Sequence, residues 1–219
     1  MRTLVMLYRS TVGKKIVMGV TGLIMIGFLL AHVAANLLSF EGSQKINAYS
    51  AFLHSTGELL WVARGVLLLA LVLHVLAAVQ LTLLDRAARP VEYARRKAQA
   101  STVASTTLRW GGLLLFGFIV YHLLHFTFGT VHPGFIEGDP YQNIVAGFAG
   151  HPGVVAFYLA AMCGLGLHLY HGGSAMFQSL GLSHPSYDPG RQRLMRLVAV
   201  LVAAGFAAVP VGVALGVIR

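Results

Sequence analysis

Cysteine is nearly missing from these 219 residues: Cys163 stands alone. A single thiol excludes a disulfide scaffold, a four-cysteine zinc site and any iron–sulfur cluster held by this chain by itself. No C-x-x-C-H occurs, so a haem here would be bound without covalent attachment. Charge is scarce too, at 11% of residues with only seven acidic side chains, against 57% hydrophobic and a mean hydropathy of +0.74. That balance excludes an ordinary soluble domain and reads as a membrane protein. The 25 glycines are scattered through apolar runs, where they let helices approach closely in lipid, so they do not signal disorder. The formal charge of +9 does not make nucleic acid a partner, because in a membrane chain the placement of basic residues carries more information than their sum.

Five apolar stretches reach the roughly 20 residues a helix needs to cross a bilayer: 16–39, 59–84, 108–128, 154–179 and 194–217. They lack strand alternation, and only helices or closed barrels satisfy their backbone in lipid. The expectation is an all-α, integral membrane bundle of five helices, forming one membrane domain over residues 1 to 219. The first run is too long for the apolar core of a signal peptide and is kept as a mature span. Basic residues sort by side. Arg2, Arg9, Lys14 and Lys15 precede the first run; Arg86, Arg89, Arg95, Arg96 and Lys97 lie in the second connection, with Arg109 just beyond; Arg191, Arg193 and Arg196 lie at the fourth. The third connection has none. The positive-inside rule therefore puts the amino terminus in the cytoplasm and the carboxyl terminus outside. Residues 85 to 107 read as a cytoplasmic docking surface, and the outer connection from Gly129 to Gly153, with three prolines, reads as irregular.

Ten histidines in such a chain need a reason, because ionisable groups inside spans are costly and face the bundle interior. Counted from the ends of the runs, His32 and His122 share a level near the outer side. His74 and His168 share a deeper level, with roughly 10 Å of helix rise between the two. Two opposed imidazoles at one height are the axial ligand set of a six-coordinate haem iron. The count prefers His122 over His125 and His168 over His171 by three residues each, leaving His125 and His171 to meet a propionate or orient a ligand. His54, His132, His151 and His184 fall in connections and are expected to be solvated. Helices one and three share a pattern, Gly22-x4-Gly27-x4-His32 and Gly112-x4-Gly117-x4-His122, with small residues leading to each ligand.

With these residues in view, the chain resembles the single-chain, five-helix, di-haem cytochrome b subunit of succinate dehydrogenases and fumarate reductases. The likeness is carried by Gly13-Lys14-Lys15, Thr21-Gly22-Leu23, His32 with Asn36-Leu37, Arg64 with His74, Arg109 before His122, and His168 with His171-Gly172 running to Leu180-Gly181. It extends over nearly the whole chain. It implies two haem b groups: His74 and His168 would hold the one nearer the cytoplasmic flavoprotein and iron–sulfur subunits, His32 and His122 the distal one. In the resembled family the third ligand follows an arginine by thirteen residues and the fourth precedes a glycine by thirteen, which here selects His122 and His168. It also implies a location in the bacterial cytoplasmic membrane, a respiratory role shared with the tricarboxylic acid cycle, and a quinone partner, menaquinone by family habit. One departure stands out. Some relatives carry a glutamate two residues before the fourth ligand, used to move protons, where this chain has Gly166.

Anionic propionates need cations, for which Lys14, Lys15 and Arg109 are candidates at the inner haem and Arg64 at the outer. Glu58, near the outer start of the second helix, is the candidate for proton exchange with quinol. The chain has no flavin motif or dicarboxylate-binding domain, so succinate chemistry belongs to partners and this subunit handles electrons and quinone. Two other readings keep the membrane architecture. A di-haem anchor of a different oxidoreductase would not co-purify with a succinate-oxidising flavoprotein, and a proton-coupled transporter using membrane histidines would be colourless.

Overall fold

The computed structural model describes residues 8–88 and 103–219. Among the described residues there are seven α-helices and no strand: α1 Thr11–Leu37, α2 Ser43–Ser55, α3 Glu58–Ala87, α4 Val103–Phe126, α5 Pro140–Phe148, α6 Pro152–Ser179 and α7 Asp188–Ala214. Five of them, α1, α3, α4, α6 and α7, are long and apolar enough to cross a membrane. The basic residues Arg2, Arg89, Arg95, Arg96 and Lys97, and most of the expected docking surface, lie outside the described residues.

The helices start where capping chemistry allows it. Ser10 accepts from the Gly13 N–H at 2.9 Å, so α1 begins before Lys14 and Lys15 and not at residue 16. A proline in the first turn opens α5, α6 and α7, where its missing N–H costs nothing. Gly42 at φ 97° and Gly57 at φ 58° make the turns on either side of α2, a left-handed backbone that residues with a β-carbon rarely adopt.

The central pair is α1 and α6. Helix α3 packs chiefly on α1, α4 on α6, and α7 lies behind both. Small residues bring α7 close. An ideal Cβ on Gly205 would sit 2.6 Å from Val33 of α1, one on Gly212 2.9 Å from Phe40, and Gly173 of α6 lies directly under Met195. In lipid, where apolar surface gains little from leaving the solvent, such close backbone approach is what holds helices together. The leucines, valines and tryptophan on the outer faces of α3 and α4, among them Leu59, Trp61, Leu68, Trp110 and Leu113, are exposed as a lipid-facing surface requires.

One end of the bundle is capped. The connection expected to be irregular contains α5, whose N-cap Asp139 accepts from the Gln142 N–H at 3.0 Å and from Asn47 of α2 at 2.9 Å. Tyr141 donates to the Arg219 carbonyl at 2.9 Å, tying the last residue to this cap. Asn143 bonds both backbone groups of Ile136 and its own carbonyl accepts from His132, so the loop before α5 is closed by a polar network. The opposite end carries the first residues of α1, the last of α3, the start of α4 and the connection after α6, and with them most of the basic residues among the described residues, Arg9, Lys14, Lys15, Arg86, Arg109, Arg191, Arg193 and Arg196.

Candidate functional site

Two imidazole pairs cross the interior. His32 of α1 and His122 of α4 face each other with ring centroids 6.0 Å apart and planes at 81°. His74 of α3 and His168 of α6 do so at 6.3 Å and 56°. An imidazole nitrogen binds a first-row metal at about 2.0 Å and lies about 1.1 Å from its own ring centroid, so a collinear imidazole–metal–imidazole unit separates the centroids by about 6.2 Å. Both spacings fit one ion between each pair.

The glycine repeat fixes the levels. Gly22 of α1 lies beside His74, with an ideal Cβ 3.5 Å from its Cε1, and Gly112 of α4 lies beside His168 at 3.9 Å. His32 and His122 follow these glycines by ten residues on their own helices, so the two levels are roughly 15 Å apart along the helices. This exceeds the expected 10 Å, because helices of 24 to 30 residues run past the apolar stretches from which the depth was counted. Between the levels, Gly27 and Gly117 have nothing within 4 Å of an ideal Cβ. The pattern thus leaves room for flat groups at and between the pairs. A cavity of about 370 Å³ opens at His168 between α4 and α6, walled by Trp110, Gly111, Leu114 and Gly164.

Hydrogen bonds define the tautomer of one ring. Thr21 is buried and spends its hydroxyl proton on the Val17 carbonyl at 2.7 Å. The Nδ1 of His74, 3.1 Å from the Met18 carbonyl and 3.2 Å from the Thr21 oxygen, must therefore be the donor. Its Nε2 then keeps a free lone pair, the arrangement in which a second bond orients a metal-binding histidine. His168 Nδ1 is buried with no partner. Asn36 donates to the His32 carbonyl at 2.8 Å and reaches the His32 ring at 3.4 Å.

The neighbours one turn away differ in surroundings. His125 is 1% exposed, its ring 4.7 Å from that of His132 and its Nδ1 3.0 Å from the Tyr158 hydroxyl. It is thus occupied within the cap, away from the gap that His122 shares with His32. His171 is half-buried one turn beyond His168. His54 and His184 are exposed, as expected, although His54 lies in the last turn of α2 and not in a loop, and His151 is half-buried. His132 corrects that expectation: it is 7% exposed, because α5 folds over it and the Asn143 carbonyl takes its Nε2–H at 2.8 Å. Tyr158 did not stand out in the sequence, since a tyrosine in a span reads as packing, and Thr21 did so only within the Thr21-Gly22-Leu23 motif, with no role of its own.

The candidate cations are placed as follows. Lys14 is buried and its ammonium donates to the carbonyls of Tyr8 at 3.0 Å and Arg9 at 2.9 Å. Lys15 is exposed. Arg109 pairs with Asp85 at 2.9 Å, joining α4 to α3, with its side chain 54% exposed. Arg64 is exposed and lies 5.0 Å over the Trp61 ring. Glu58 is the exposed first residue of α3 at the capped end. Gly166 faces α7, an ideal Cβ there lying 3.3 Å from that of Ala203, so this position is a tight helix contact.

Neither a curated protein nor a solved structure matches the chain. The family model of the succinate dehydrogenase/fumarate reductase transmembrane subunit does, over residues 86–209, a stretch that takes in Arg109, His122 and His168. That stretch is more than half of the chain, which therefore belongs to the succinate dehydrogenase/fumarate reductase transmembrane subunit family.

Proposed function

We propose that this chain is the di-haem cytochrome b anchor of its complex, passing electrons between the iron–sulfur subunit and membrane quinone. Family membership implies association with the flavoprotein and iron–sulfur subunits of succinate dehydrogenase or fumarate reductase. The observation that carries the finer reading is the pair of spacings, 6.0 Å and 6.3 Å, at two levels on four different helices.

In this reading His74 and His168 hold the haem nearer the basic end, and His32 and His122 the haem nearer the capped end. The basic end faces the cytoplasm, by the positive-inside rule, and receives the partner subunits, while the carboxyl terminus lies outside. Bound haem b supplies one-electron transfer at each level. The protein's part is to fix the ligands, exclude water with apolar helix faces, and set each ligand's basicity through its second ring nitrogen. At the inner level the Met18 carbonyl and Thr21 do this for His74. Arg109 and Lys15 supply charge for the inner propionates and Arg64 for the outer. Lys14 would have to leave the carbonyls of Tyr8 and Arg9 to reach one. Glu58 opens α3 at the capped end and is the proposed proton partner of the quinone, for which menaquinone is the candidate. The whole chain then acts as one membrane domain in the bacterial cytoplasmic membrane, with succinate chemistry left to the partners.

The test is to add succinate anaerobically to the isolated complex and follow the b-type absorption. Reduction of both haems through the flavoprotein is expected. A colourless complex, or haems that succinate does not reduce under any quinone poise, contradicts the proposal.

A further inference from the structure

Tyr158 is 6% exposed near the capped end of α6, and its hydroxyl lies between two histidines of α4: 3.0 Å from His125 Nδ1 and 3.4 Å from His122 Nδ1. Its ring is clamped by Phe118 and Phe148, both edge-on at 4.9 Å. His125 is held in turn by the cap. An ideal Cβ on Gly147 of α5 would sit 3.1 Å from His125 and 3.0 Å from His132, so only glycine lets α5 seat on that pair without displacing it.

A hydroxyl has one proton, and that orders the network. An imidazole that offers Nε2 to iron carries its proton on Nδ1 and needs an acceptor there. The acceptor within reach of His122 Nδ1 is the Tyr158 oxygen. The tyrosine proton then goes to His125 Nδ1, which must be the bare nitrogen of that ring. The chain of donation runs one way, from His122 through Tyr158 to His125.

Resting on the di-haem reading, we infer that Tyr158 is a positioning residue for the outer haem: its hydroxyl accepts from His122, orients that ring toward His32, and is itself anchored by the unligated His125. Two consequences follow. His125 and His122 take different roles although one helical turn separates them, because only one can give a proton to the shared hydroxyl while the other takes one. An acceptor on the ligand's second nitrogen also makes that ligand more electron-donating, which favours ferric iron and lowers the outer haem's midpoint.

The test is redox titration of the assembled complex carrying Tyr158→Phe, which keeps the clamped ring and removes the oxygen. The outer component is the one that disappears in His32→Ala. Two haems per chain are expected, with the outer midpoint raised so that its reduced-to-oxidised ratio at fixed potential grows about threefold, roughly 30 mV for one electron, and the inner midpoint unmoved. An unmoved outer midpoint overturns the inference and leaves the di-haem reading intact. A wild-type complex without haem overturns both. Should Tyr158→Phe lose the outer haem, His125→Asn and His125→Leu decide. The asparagine oxygen can still accept the tyrosine proton, so it should hold the wild-type midpoint while leucine raises it. Equal midpoints in the two variants overturn the inference.

Discussion

Replacing Gly205 by alanine should cost the protein its outer haem and spare the inner one. The new methyl would lie 2.6 Å from Val33 Cγ2, whereas carbon atoms in good contact are about 3.5–4.0 Å apart. About 1 Å must be found. Val33 cannot supply it by turning, because a valine in a helix has one strongly preferred rotamer and this one is buried. Helices α1 and α7 must shift instead, at about 1–3 kcal/mol for overpacking. The shift falls on the outer ligand set directly, since His32 precedes Val33 and its ring rests 5.5 Å from Phe206, the residue after Gly205. Metal–ligand distances tolerate about 0.2 Å, so a 1 Å displacement breaks the match between His32 and His122. His74 and His168 lie at the other level, on helices that contribute no atom within 4 Å of the added carbon. The assay is haem per chain with the reduced-minus-oxidised spectrum. Gly65→Ala serves as control, since nothing lies within 4 Å of an added carbon there. One haem per chain in Gly205→Ala and two in Gly65→Ala are expected; an unchanged outer haem in Gly205→Ala would refute the reasoning.

His168→Ala should remove the inner haem and leave the outer spectrum in place, checked by the same difference spectrum, whereas loss of the outer component alone would reverse the assignment of levels. Gly166→Glu places a charged chain against α7, where an added Cβ already lies 3.3 Å from Ala203. It should cost about 2.5–3.5 kcal/mol or more and lower the melting temperature of the detergent-solubilised complex; a wild-type melting curve would show that α6 and α7 are not packed this closely.

The five spans were legible because hydrophobicity of that length has few other uses, and the four facing histidines because a costly residue in lipid needs a reason. The ends were less so. Helix α1 starts at Thr11 under the Ser10 cap although Lys14 and Lys15 interrupt the apolar run, and α7 starts at Asp188, six residues before the run at 194. Apolarity marks the hydrocarbon; capping marks the helix. The same gap led to an underestimate of the spacing between levels. Helix α5 escaped notice among three prolines, although Asp139 followed by Pro140 is a helix start that local chemistry could have revealed. Tyr158 carries no signal in a single sequence: its meaning comes from the convergence of His122 and His125 on one hydroxyl, which requires the packing of α4 against α6.

Haem quantification on the purified complex, as moles of b-type haem per mole of this chain, tests the central claim most directly. The account predicts two, with both components lost when His32, His74, His122 and His168 are replaced together. A value of zero in cells supplied with ample porphyrin and iron, or two haems that survive the fourfold replacement, would contradict it.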